Sequence, residues 1–247
     1  MSNNLDIVLP CYRPPEGWTG RIISSMQELS RRLPDLSIRL ILVNDGSPAG
    51  VEAGDIDVLH AHLPGMMYVD LKINQGKGAA LRRGVGESTG RYCVFTDIDF
   101  PYTLDSVVSI VEELQSGTDI AIGIKDQSYY AHTPAIRKAI SKVLRLLART
   151  FLRIPITDTQ CGLKGFNEAG RAIFLQTTIK RYLADLEFIF LADRSPLSMK
   201  AVTVALREGV EFSQVNVRIL LTEGMNFMKV WGRSLLGKTS SSHSQPR

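Results

Sequence analysis

No apolar run in this chain of 247 residues reaches transmembrane length, so no segment reads as a membrane-spanning helix. Nor does a basic region followed by an apolar stretch open the sequence. Met1 Ser2 Asn3 Asn4 runs straight into strand-like residues, and no secretory signal is expected. Cysteine is scarce. Cys11, Cys93 and Cys161 lie far apart with no metal-ligand spacing, each in or beside an apolar run where a free thiol packs. A reduced, cytoplasmic setting follows. Internal repeats are absent too. The excess of one charge is small, with 29 Lys and Arg against 25 Asp and Glu, a net charge of +4. That excess suggests anionic partners without separating nucleic acid from phosphorylated substrates or a membrane surface. No nucleic-acid recognition module accompanies it, so nucleic acid is not an expected partner.

What the chain does have is apolar residue. A hydrophobic share of 44% against 22% charged is enough to bury a sizeable core in one domain, expected over residues 1–238. The Ser, His, Gln and Pro rich stretch 239–247 is expected to be a disordered tail. Leu5 to Leu9 and Ile38 to Val43 read as central strands that open into loops. Between them Ile22, Ile23, Met26, Leu29 and Leu33 recur at helical spacing before Pro34. Met66 to Leu71 gives a third strand, Lys77 to Glu87 a helix entered through glycines, and Tyr92 to Phe95 a fourth strand. A helix over Leu104 to Leu114 and a strand over Asp119 to Ile124 follow, then a polar, tyrosine-rich loop from Asp126 to Thr133 that is expected to be mobile. The alternation predicts an α/β fold with a mostly parallel central sheet covered by helices on both faces.

The chemistry gathers where these strands end. Asp97 and Asp99 follow the apolar run Tyr92 Cys93 Val94 Phe95, and residues i and i+2 of an extended chain point the same way. Both carboxylates can therefore grip one hard divalent cation, which could hold a diphosphate. Solvated loops also carry such pairs. Asp45, in Asn44 Asp45 Gly46 Ser47, is placed at the same sheet edge, either to accept hydrogen bonds from a base or ribose or as part of an ordinary Asx turn. Asn74 Gln75 Gly76 Lys77 Gly78 sets a lysine between glycines at a helix start, where bare amides suit phosphate, though without a full Walker A pattern.

Taken in order, Val8 to Tyr12, Val43 to Ser47, Asn74 to Gly78 and Thr96 to Asp99 resemble the motifs of family 2 glycosyltransferases. Asp158 to Phe166 resembles a signature of the branch that makes dolichyl-phosphate and polyprenyl-phosphate sugars. The likeness runs from about residue 5 to roughly residue 230. It implies the GT-A (Rossmann-like) fold, with Pro10, Tyr12, Asp45, Lys77 and Asp97 as the nucleotide pocket. By the same likeness Asp97 and Asp99 hold Mg²⁺ or Mn²⁺, and Asp99 and Asp185 are the catalytic candidates, Asp185 as sugar contact or general base. Gln160 and Lys164 are implied as acceptor-side or donor-phosphate contacts.

Departures accompany the likeness. Arg13 Pro14 Pro15 Glu16 stands where Asn-Glu is usual, and Phe100 Pro101 Tyr102 where a Gln often completes the metal shell. Lys125 in Gly123 Ile124 Lys125 replaces an arginine, which keeps the charge and loses the two-bond fork. Between Ile136 and Ile154 the chain carries Arg137, Lys138, Lys142, Arg145, Arg149 and Arg153 and no acid, beside an apolar stripe from Ile136 to Ile154. Such a helix suits either an anionic membrane surface or a core-packing role with a solvated basic face. The branch likeness implies Lys125 and Arg137 as contacts to an acceptor phosphate. A second amphipathic stretch, 225–238, offers Met225, Met228, Trp231 and Leu235 with Lys229, Arg233 and Lys238.

The expected activity is therefore metal-dependent, inverting transfer of a hexose from a UDP-sugar or GDP-mannose to a polyprenyl or dolichyl phosphate. The protein is expected to be cytoplasmic, attached peripherally to the inner face of a membrane through 136–154 and 225–238. Two alternatives stay open, glycosylation of a soluble hydroxyl acceptor and non-catalytic nucleotide-sugar binding.

Overall fold

The structure is a computed structural model that describes residues 4–125, 142, 146–152, 161–208 and 224–232. Seven strands form one sheet in the order β3-β2-β1-β4-β6-β5-β7. They are β1 (Asn4–Cys11), β2 (Ser37–Asp45), β3 (Met67–Leu71), β4 (Tyr92–Phe95), β5 (Ile120–Lys125), β6 (Lys164–Asn167) and β7 (Met199–Val204). The helices are α1 (Trp18–Arg32), α2 (Ala53–His62), α3 (Lys77–Gly86), α4 (Leu104–Gln115), α5 (Glu168–Phe174) and α6 (Ala184–Asp193). A π-helical turn occupies Ala148–Leu152 and a further helix 224–232.

Strands β3, β2, β1 and β4 are parallel, with Val8 opposite both Ile41 and Phe95, so their carboxyl ends finish together. Only β6, which pairs antiparallel with β4 and with β5, breaks the pattern. The chain order reverses between β1 and β4, because β2 and β3 build outward on one side and the path then returns to the other. A ligand crevice in an open α/β sheet lies at such a point.

Alternating side chains of each strand feed two cores. Leu5, Ile7, Leu9 and Cys11 of β1 join Leu40 and Leu42 of β2 beneath α1 and α4. Val8, Ile41 and Val43 pack on the other face with Ala80, Leu81 and Val85 of α3 and with Phe174, Phe188 and Ile189 of α5 and α6. Helix α3 lies very close to the sheet, since a Cβ at Gly84 would stand 2.6 Å from Val8 Cγ1 and 2.8 Å from Val43 Cγ2. That close approach brings the amino end of α3 to the sheet edge where the acids are.

One buried charge anchors the opposite edge. Asp6 accepts both Arg39 Nε at 2.8 Å and Arg39 Nη2 at 2.9 Å, together with Ser88 Oγ and the amides of Thr89 and Gly90. Burial pushes the Asp6 carboxyl up, yet Arg39 and these donors outweigh it and hold it below the usual carboxylate value. The Cys11 and Cys93 thiols are pushed up to about 12 by burial, as inert core thiols should be.

The expected loop 126–133, most of the basic segment 136–154 and the tail 239–247 lie outside the described residues. The amphipathic stretch 225–238 is described only in part. There Phe227 and Val230 turn inward while Met225 and Met228 stay exposed, and Trp231, half-buried, packs edge-on against Phe151 at 5.5 Å.

Candidate active site

Four loops converge on the carboxyl end of the sheet. Cys11 is followed by Tyr12, 43% exposed, with the Arg13 guanidinium 5.4 Å from its ring centre. The Arg13 amide donates to Ser47 Oγ, which joins the loop after β1 to the loop after β2. Asn44 makes the Asx turn, since its Oδ1 accepts from the Ser47 amide. Asp45 points elsewhere. Its buried carboxylate accepts the Gln75 amide at 2.7 Å and the Gly76 amide at 2.8 Å, fixing the segment that opens α3.

Gly76 takes φ +98°, and a Cβ there would stand 2.5 Å from the Lys180 carbonyl oxygen. Only glycine fits both constraints. The turn delivers Lys77 as the first residue of α3, its side chain 21% exposed and its ammonium ion-paired with Asp97 Oδ1. Burial pulls the Lys77 ammonium toward neutrality, but Asp97, and after it Asp185, outweigh this and hold it protonated above its ordinary value.

The acid pair sits in a turn just past β4. The Phe100 amide donates to the Asp97 carbonyl at 3.0 Å, and Phe100 itself is buried at φ +46°, rare for a side-chain-bearing residue. Such strain costs roughly 1–3 kcal/mol and is concentrated at functional turns. Arg207 clamps the far side, with Nη2 donating to the Asp99 carbonyl at 2.8 Å and its amide to the Pro101 carbonyl at 2.9 Å. Asp99 is pushed above the usual carboxylate range by burial first and by the charge of Asp97 second, with Arg207 and Lys77 opposing.

Next to the pair lies Gly162. A Cβ there would stand 2.6 Å from Asp97 Oδ2, and its amide donates to Tyr102 Oη at 2.9 Å. The residues after Asp99 thus supply an apolar anchor, Phe100, and a loop anchor, Tyr102, in place of a metal ligand. Among the described residues no three His, Cys, Asp or Glu side chains cluster as a metal cage. Among the described residues Asp97 and Asp99 are the two carboxylates placed to hold a divalent cation.

Beneath this lies a second ion pair. Lys164 on β6 is 0% exposed, and its ammonium donates to Asp185 Oδ1 at 2.9 Å, bonds the Cys161 carbonyl and lies over the Phe95 ring. Lys164, expected as an acceptor-side or donor-phosphate contact, is enclosed here and engaged with Asp185. Asp185, in the first turn of α6, faces the interior and not solvent. Glu187, two residues on, accepts the amides of Thr178 and Ile179, each at 2.7 Å, and Thr178 Oγ1 at 2.9 Å.

The structure therefore brings together Asp45, Lys77, Asp97, Asp99 and Asp185 of the expected site residues, with Pro10 and Tyr12 at the rim. Lys125 ends β5, half-buried, on the far side of β6 from the acid pair. Arg137 and Gln160 lie outside the described residues. Arg207 and Glu187 were missed as site-building residues. Glu187 carried a signal in its place within Asp185 Leu186 Glu187, whereas Arg207 reaches the site from a remote part of the chain and carried none.

Open parallel sheets that end in an acid-pair turn, closed by a glycine-entered helix, define the GT-A class of α/β proteins, and this chain has that fold. The family model described as Glycosyl transferase family 2 matches residues 6–174. The chain belongs to that family and is a glycosyltransferase. It is 24% identical over 250 residues to a dolichyl-phosphate beta-glucosyltransferase of Drosophila melanogaster, covering 96% of this chain and 77% of the relative. Among solved structures it is similar to glucosyl-3-phosphoglycerate synthase of Mycobacterium tuberculosis in complex with Mn²⁺, UDP and glucosyl-3-phosphoglycerate. The TM-score there is 0.66 at 16% identity, over 94% of this chain and 80% of that one. Mannosyl-3-phosphoglycerate synthase of Rubrobacter xylanophilus gives a TM-score of 0.70 at 13% identity, over 98% and 77%.

Proposed function

We propose that the protein transfers a hexose from a nucleotide-diphosphate sugar to a polyprenyl or dolichyl phosphate, inverting the anomeric carbon. In this reading the nucleoside lies across Pro10, Tyr12 and Asp45, the diphosphate reaches Lys77, and the sugar rests over Asp185. Asp97 and Asp99 hold a divalent cation, Mg²⁺ or Mn²⁺. When bound, the cation neutralises charge that builds on the departing nucleoside diphosphate. The Gly162 gap supports this assignment, because any side chain there would crowd Asp97 Oδ2. Asp45 can still serve a ribose or base, since each oxygen already bonded to a loop amide keeps a second lone pair.

The reaction needs an acceptor oxygen to attack C1 of the sugar as the bond from C1 to the diphosphate breaks. A phosphate acceptor arrives ionised and needs no base. The observation that carries the choice of acceptor is the Lys164–Asp185 pair: Asp185 Oδ1 is already occupied by an ammonium at 2.9 Å, so a proton from an acceptor hydroxyl would have to join a carboxylate engaged with a cation. Asp185 is better suited to accept hydrogen bonds from sugar hydroxyls. The Drosophila relative, named for dolichyl phosphate, points to the same acceptor. Among the described residues no helix is long and apolar enough to cross a membrane. Peripheral attachment for a lipid acceptor is proposed through 136–154 and 225–238. Lys125 and Arg137 are the proposed contacts to the acceptor phosphate.

A second reading, transfer to a soluble hydroxyl acceptor, is favoured by the likeness to an enzyme solved with glucosyl-3-phosphoglycerate. The test separates the two. Purified protein is given labelled UDP-glucose or GDP-mannose with Mn²⁺, and either dolichyl phosphate in detergent or 3-phosphoglycerate. Label that enters the lipid phase, is stopped by EDTA and is weakened by Arg137→Ala through acceptor affinity supports the first reading. Label entering only the soluble acceptor supports the second. Binding of nucleotide sugar with no transfer to either would overturn both readings of the acceptor.

A further inference from the structure

The acid pair does not stand open in this structure. The Lys77 ammonium occupies Asp97 Oδ1, one of the atoms the proposed cation needs, while lying within electrostatic range of Asp185. Lys77 is also the first residue of α3, at the helix end that faces the acid pair. One side chain therefore has two partners of opposite need. It neutralises Asp97 when nothing else does, and it is placed to neutralise a diphosphate. Around the site Asp45, Asp97, Asp99 and Asp185 face Lys77, Lys164 and Arg207, four negative charges against three positive. A divalent cation added alone would leave this balance positive, and a nucleoside diphosphate added alone would leave it more negative.

We infer that Lys77 is an exchangeable counter-ion, which releases Asp97 to the divalent cation as it moves onto the diphosphate, so that cation and nucleotide bind as a coupled pair. The inference rests on the proposed metal role of Asp97 and Asp99. Lys164 cannot substitute, because it is wholly enclosed on Asp185, whereas Lys77 keeps 21% of its side chain exposed. Coupling of this kind is reciprocal: the factor by which nucleotide tightens the cation equals the factor by which the cation tightens nucleotide.

The test titrates Mn²⁺ into the protein and counts free Mn²⁺ by electron paramagnetic resonance, with no nucleotide and with saturating UDP or GDP. Wild-type protein is expected to bind Mn²⁺ weakly alone and far more tightly with nucleotide. Lys77→Gln and Lys77→Ala, each checked for folding by thermal melting, are expected to bind Mn²⁺ alone about tenfold more tightly than wild type, with the coupling factor reduced by at least as much. Lys77→Arg keeps the cation and should stay near wild type. Unchanged or weaker Mn²⁺ binding in Lys77→Gln and Lys77→Ala, or the same gain in Lys77→Arg, would overturn the exchange. Asp97→Asn and Asp99→Asn tell that failure from a deeper one. Loss of Mn²⁺ in these two preserves the metal site whatever Lys77 does, and no loss removes the metal reading and the exchange together.

Discussion

At the scale of single residues, two positions show how much rests on one group. Asp6 is buried, yet five donors from β2 and the turn after α3 meet its two oxygens. Asp6→Asn would break a largely buried ion pair and leave amide donors partly unmet, at an expected cost of about 2–3 kcal/mol in urea unfolding. The pH dependence follows from the direction of its shift. Since the folded carboxyl lies below its ordinary value, the stabilisation is complete above about pH 5 and fades as pH falls below that, so the variant should show a shallower loss of stability in acid. Gly162 works by absence. Gly162→Ala would place a methyl 2.6 Å from Asp97 Oδ2, and because a carboxylate can turn aside, the damage should fall on function more than folding. Metal-dependent nucleotide affinity is expected to drop roughly tenfold, about 1.4 kcal/mol, with little change in melting temperature, as calorimetry can read.

At the scale of elements, the loop 177–183 braces the site and Glu187 holds the loop. Its carboxylate takes the Thr178 and Ile179 amides, and the Lys180 carbonyl in turn accepts the Ala79 amide of α3. Glu187→Ala should cost about 2–3 kcal/mol for two orphaned amides and should also weaken nucleotide binding, because the amino end of α3 loses its brace. Glu187→Gln, which can still accept with one oxygen, should lose less, and equal losses in the two would mean that the hydrogen bonds are not what matters. This brace was half legible. Strands β1 to β5 and helices α1, α3 and α4 stand out in sequence because apolar runs and helical stripes of adequate length mark them. Helix α2 does not, since of its residues only Leu59 is buried and no stripe exists to be seen. Strand β6 is four residues of an otherwise loop-like motif, and its antiparallel place between β4 and β5 is a matter of long-range pairing. Asp45 and Lys164 illustrate the same limit within the site. Asp45 was placed at the sheet edge by its motif and Lys164 was singled out by the family likeness, but which atoms each would bond depended on residues some 20 to 30 positions away.

At the scale of the whole molecule, the question is how a chain with this site meets a lipid. Phe151 packs against Phe227 at 6.4 Å and Trp231 at 5.5 Å, so the turn Ala148–Leu152 and the helix 224–232 form one surface. Their inward residues, Leu152, Phe227 and Val230, join the core beside α6. Exposed apolar side chains occur in and beside them, Leu146 at 64%, Phe151 at 42%, Met225 at 63% and Met228 at 55%, and Lys142 and Lys229 in the same stretches of chain are exposed too. Apolar side chains accompanied by lysines match an interface of acyl chains beneath anionic head groups. The proposed lipid acceptor therefore predicts sedimentation with vesicles that contain anionic phospholipid, less with neutral vesicles, and less again at high salt. Met225→Glu with Met228→Glu should lower that partition about tenfold or more, since each change removes buried apolar area and adds a repelled charge. Neither methionine touches the acid pair, so nucleotide titration should be unchanged, which separates a membrane effect from misfolding. Retained vesicle binding in the double variant would move the contact away from this face, and an absence of vesicle binding in wild type would favour the soluble acceptor.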